Sequence, residues 1–153
     1  MRLTPIFAAA ALSLVATACT ASEQTPAADS AAATTAAAPA ADPAVRIVSP
    51  ADGDTVSLPF TVRLEATGVE VIPATGTAEA GKGHHHLVID GDAPTDSLPL
   101  PAAPVVIHMG NGANERVLDS LSAGPHRIIA IFATGDHVPL TTVKRDTITV
   151  IVR

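Results

Sequence analysis

The chain has 153 residues and a formal net charge of −6. That acidity argues against nucleic acid as a partner. With three Phe, no Trp, no Tyr and one Cys, the chain lacks the stacking rings of sugar or single-strand platforms, and it has no cysteine pair for a disulfide or a thiolate metal site.

In chain order, the first element is an export signal. Arg2 precedes an apolar stretch, Ile6 to Ala18, too short for the roughly 20 residues that span a bilayer. Its ending, Ala16-Thr17-Ala18-Cys19, resembles a lipobox. Cys19 is therefore expected to be acylated after removal of residues 1–18, tethering the mature chain to a membrane of the bacterial cell envelope. An ordinary secretory signal cut near Ala18 is the alternative. Thr20, rather than Asp, after the Cys points to the outer membrane, facing the periplasm, by resemblance to lipoprotein sorting rules. From Cys19 to Ala44 the chain is mostly Ala, Thr, Ser and Pro, with three acids and no aliphatic side chain larger than Ala. This segment cannot offset the entropy of ordering and reads as a disordered tether.

Residues 45–153 are predicted to form one all-β domain. Strands are expected at 45–48, 60–66, 84–90, 105–109, 115–121, 126–133 and 146–152, with Gly-, Asp- and Pro-bearing turns between them. Alternation of Phe60, Val62 and Leu64 with Thr61 and Arg63 marks a half-buried strand. About seven such strands imply an antiparallel, immunoglobulin-like β-sandwich, with a jelly roll or small barrel as the alternative. Absence of the inter-sheet Cys pair and the core Trp excludes an antibody-type domain. Phe60, Val62, Leu64, Leu87, Ile89, Ile128, Ala130 and Phe132 are the expected core.

All six histidines fall between His84 and His137. On a strand, His84 and His86 share one face, and His85 shares the other with Leu87 and Ile89. A His-x-His pair lets two imidazoles converge on one ion. His108, before a Gly-Asn-Gly turn, and His137, in the Gly135-Asp136-His137-Val138-Pro139 loop, are the expected further ligands. All four are predicted to meet at one end of the sandwich and to hold copper or zinc. Met109 beside His108 would suit Cu(I). Protonation is expected to release the ion below about pH 6.5. His85 and His126 are expected to be structural. The competing reading is an immunoglobulin-like structural or interaction module with no metal, whose histidines are architectural. No Gly-x-Ser-x-Gly elbow is present, and no enzyme activity is expected. The protein partner is left open.

The segments Val48-Ser49-Pro50-x-Asp52-Gly53, Gly83-His84-His85-His86-Leu87-Val88-Ile89-Asp90, Ile107-His108-Met109-Gly110-Asn111-Gly112-x-x-Glu115, Gly124-x-His126 and Gly135-Asp136-His137-Val138-Pro139 occur in this order. Together they resemble DUF4399, a domain of exported bacterial proteins, from about Val45 to Val152. Met109, in place of Phe, and Leu140, in place of a further His, depart from its pattern. The resemblance implies the fold and leaves the function open.

Overall fold

A computed structural model describes residues 42–94 and 98–153. The expected signal, Cys19 and the tether up to residue 41 lie outside the described residues. Nine strands and no helix occur among those described: β1 (Ala44–Ser49), β2 (Thr55–Val56), β3 (Phe60–Thr67), β4 (Glu70–Val71), β5 (Lys82–Ile89), β6 (Val106–His108), β7 (Glu115–Leu118), β8 (Gly124–Ala133) and β9 (Asp146–Val152).

One sheet has the order β1-β3-β7. The other runs β2-β9-β8-β5-β4, and β6 also pairs with β5. Taken as strands A, B, E and C′, C, F, G, the main elements reproduce the immunoglobulin-like arrangement of an ABE sheet facing a C′CFG sheet. The long pairings are antiparallel, as expected. Two short pairs are parallel and were not foreseen: β2 beside β9 and β4 beside β5. Each involves a two-residue strand that no periodicity could reveal.

The sheets enclose a core of Val45, Ile47, Val62, Leu64, Leu87, Ile89, Leu118, Ile128, Ile148 and Val150. Phe132 is also buried, while Phe60 packs at the margin, half-buried. β9 shows how one-sided burial arises: Ile148, Val150 and Val152 are buried, and Thr147, Thr149 and Ile151 are exposed.

β5 and β8 differ. Val88, Ile129, Ile131 and Ala133 point away from the other sheet yet are buried, because Leu100 and Val106 cover that outer face. Strands covered on both faces read as continuous apolar runs, which accounts for Ile128-Ile129-Ala130-Ile131-Phe132-Ala133. In β5 every residue from Gly83 to Ile89 is buried. The three consecutive histidines therefore sit in the most enclosed strand of the domain.

Candidate metal centre

The period of two along β5 places His84 and His86 on the outer face, with Val88. Strand register brings in the third histidine, because His86 and His108 are directly paired across β5 and β6. Their rings stack with centroids 5.0 Å apart and planes at 26°. The fourth comes from the turn after β8. Ala133, paired with His84, also bridges to Pro139. The chain thus folds back over residues 134–138 and carries His137 above His84, with ring centroids 5.0 Å apart.

His137 has φ of 72°, a left-handed conformation uncommon for a residue with a Cβ. It is pinned there: its N–H donates to the Thr134 carbonyl at 2.9 Å, and its own carbonyl accepts from the Leu100 N–H at 2.9 Å. Strained backbone held by its surroundings is a recurring feature of functional sites.

The result is a tetrad. Nε2 of His84 lies 3.0 Å from Nε2 of His86 and 3.2 Å from Nε2 of His108. Nε2 of His137 lies 3.1 Å from that of His108. The four donor atoms all fall within 4.8 Å of one another. Metal–nitrogen bonds of 2.0–2.1 Å give a regular tetrahedron with edges of about 3.3–3.4 Å, so the short contacts match those between ligands of one ion. His84 and His86 are buried, His137 is half-buried and His108 is exposed. The four therefore meet as expected, but on the outer face of the larger sheet rather than among the loops at the end of the sandwich.

The protonation chemistry of the tetrad is unusual. A neutral imidazole nitrogen either donates a proton or offers a lone pair, never both. The Nε2 of His84 touches two other Nε2 atoms, as does that of His108. Hydrogen bonding alone can serve these contacts only by alternating donors and acceptors and sharing one lone pair between two donors. A cation facing four Nε2 lone pairs removes that conflict. Burial, then the neighbouring His108 and His137, lowers His84 to about 4. Burial, then His84 and His108, lowers His86 to about 3. Burial, then His137, also lowers His108. Proton competition at His84 and His86 thus belongs well below the pH 6.5 expected from ordinary imidazoles.

One further segment holds the tetrad in place. The N–H groups of Ile72, Ala74 and Gly76 donate to the carbonyls of Gly83, Gly110 and Gly135 at 2.7, 2.9 and 2.9 Å. One extended stretch thus ties together the three segments that carry the histidines. Gly110 also leaves room for the His108 ring: a Cβ there would lie 2.2 Å from it. Neither the strap nor this contact was foreseen from the sequence, where Gly110 reads only as a turn residue.

Met109 corrects one expectation. It is buried in the core between the sheets and its N–H donates to the His85 carbonyl at 3.1 Å. Neighbouring residues on extended backbone face opposite ways, so its thioether is turned away from the tetrad and lends nothing to a Cu(I) site. Asp136, next to His137, is hydrogen-bonded to the Thr134 hydroxyl.

His85 and His126 stand apart, as expected. His85 faces the core, with Nε2 3.2 Å from Asn114 Oδ1 and its ring edge-on to Phe132. His126 has an acceptor at each nitrogen: Asp90 Oδ2 lies 2.7 Å from Nδ1 and the Ser122 carbonyl 2.9 Å from Nε2. Those two bonds, Asp90 first, raise its pKa. The Ser122 hydroxyl is also 3.3 Å from Nε2, giving the outline of a Ser-His-Asp triad. With a carbonyl accepting from Nε2, however, that nitrogen holds its proton and cannot serve Ser122 as a base.

Two solved structures match. One is a crystal structure of an engineered protein, with 22% identity over 75% of this chain and 21% of that chain, at a TM-score of 0.43. The other is of fibronectin(III)-like modules of Clostridium thermocellum CbhA, with 15% identity over 73% of this chain and 47% of that one, also at 0.43. The chain thus spans less than half the length of either. No curated protein matches. The family model described as "Domain of unknown function (DUF4399)" matches residues 62–153, a span that includes all six histidines and the strands that position them. The chain belongs to the DUF4399 family.

Proposed function

We propose that this protein is a lipid-anchored lipoprotein of the bacterial cell envelope whose sandwich domain binds a divalent copper or zinc ion through His84, His86, His108 and His137. The observation that carries this reading is the meeting of four imidazole nitrogens, one from each histidine, within 4.8 Å. The donor set is all imidazole, which suits Cu²⁺ and Zn²⁺. Depressed basicity at His84 and His86 supports it further, since neutral imidazoles are the ligating form. The anchor rests on Cys19 and the apolar stretch before it, with the outer membrane as destination and no nucleic acid as partner. The protein is read as a binding protein rather than an enzyme, because the Ser122–His126 contact lacks a free base.

One observation favours the competing module with architectural histidines. The Nδ1 atoms of His84 and His86 are buried without a hydrogen-bond partner, whereas metal-bound histidines usually donate that proton to a carbonyl or carboxylate. Metal analysis of tag-free protein separates the two readings. Close to one Cu or Zn per chain, with Cu²⁺ showing nitrogen couplings from several imidazoles in its paramagnetic resonance spectrum, is expected. A metal-free chain that takes up neither ion refutes the metal reading. For the anchor, Cys19→Ser is expected to move the protein from membranes to the soluble fraction; wild-type protein already wholly soluble in the periplasm contradicts it.

A further inference from the structure

His86, His108 and His137 also line a cleft of about 430 Å³, and the buried His84 is not among its lining residues. Its other wall includes Pro99, Leu100 and Val106. Among the described residues that line the cleft, the three imidazoles are the only polar side chains. The wall is tied to the ligand loop: Leu100 is buried, and its N–H bonds the His137 carbonyl at 2.9 Å. The volume falls in the range of small-molecule sites, roughly 300–1,000 Å³, which are mainly apolar with a few convergent polar groups.

Charge identifies the ligand class. Four neutral imidazoles give a divalent ion their lone pairs but no negative charge. No carboxylate is among the described residues lining the cleft. A dication beside apolar side chains is poorly screened and attracts an anion strongly. The opposite wall has only hydrocarbon to offer whatever that anion carries. The geometry points to a small monocarboxylate with an apolar tail, its carboxylate joining the tetrad-bound metal as a fifth ligand and its tail along the Pro99–Val106 wall. This inference rests on the reading of the tetrad as a metal centre.

The test is calorimetric titration of the full chain with acetate, butyrate and hexanoate, once after loading with Zn²⁺ and once metal-free, with bound zinc measured first. Each buried methylene is worth about fourfold in affinity, so hexanoate is expected to bind the loaded chain at least tenfold more tightly than acetate, and the metal-free chain to bind neither. Ala102, exposed on the cleft wall, supplies a variant that leaves the core untouched. Ala102→Asp sets a like charge in the cleft and is expected to weaken hexanoate at least tenfold while zinc content stays at wild-type level. Equal affinity for acetate and hexanoate, or equal binding with and without zinc, overturns the proposal while leaving the metal centre intact. A chain that takes up no zinc overturns both, and the metal measurement identifies that case before any carboxylate is added.

Discussion

The tetrad and His126 are two solutions to burying an imidazole. At His126 every ring proton has an acceptor, Asp90 on one side and Ser122 on the other. Donor and acceptor balance locally, and the result is a hydrogen-bonded clip between the end of β5 and the start of β8. In the tetrad, four nitrogens of one kind face each other, and no assignment of protons satisfies them all without sharing. The two groups also shift in opposite directions. The hydrogen bond that His126 donates to Asp90 raises His126, whereas burial lowers His84 and His86. A histidine completed by protein is architectural, while histidines left facing one another call for something from outside.

The contrast breaks most sharply at Gly110. Replacing Gly110 with Ala drives a methyl into the His108 ring and is expected to weaken metal binding about 10–100-fold, the scale seen when support behind a ligand is lost. Unchanged affinity in a metal titration of this variant would remove His108 from the site. His126→Ala works the other way. It leaves Asp90 without its hydrogen-bond partner and should cost about 1–3 kcal/mol in denaturant unfolding, with metal affinity within twofold of wild type.

Acidity separates the two regions by sign. His84 and His86 have folded pKa values of about 4 and 3, below the ordinary 6.5. As pH falls from 6.5 towards 4 the unfolded chain takes up protons that the folded one refuses, so metal-free stability should fall over that window. His126 is raised above 6.5, so its contribution is complete below 6.5 and fades as pH rises through its folded value. Melting temperatures across pH check both: His84→Ala/His86→Ala should flatten the acid limb and His126→Ala the neutral one. An acid limb unchanged in the double variant would contradict the burial account. The smallest effect is expected at Met109. Met109→Leu keeps the core volume, costs less than about 1.5 kcal/mol and leaves metal affinity unchanged; a clear loss of affinity would return the thioether to the site.

Much of this contrast is legible in the sequence. Alternation along a strand suffices to put His84 with His86 and to turn His85 inward. The same rule applied to His108 and Met109 separates them and leaves the thioether in the core, away from any Cu(I). The sandwich is legible because β3 and β9 alternate so regularly. What is not legible is long-range register. That His86 pairs with His108 depends on where β6 docks, and that His137 reaches His84 depends on a left-handed residue in a loop. The Ile72–Gly76 strap and the Leu100 wall have no periodic signature. Both act through backbone hydrogen bonds and packing between segments distant in sequence.

The most direct test is titration of the tag-free protein with Cu²⁺ and Zn²⁺ beside the His84→Ala/His86→Ala variant, after both have been confirmed folded by their strand-rich far-ultraviolet spectra. The account predicts one tightly held ion per wild-type chain and at least a hundredfold weaker binding by the variant. Equal binding by the two proteins would contradict it, because the ion would then be held somewhere other than among the four facing Nε2 atoms.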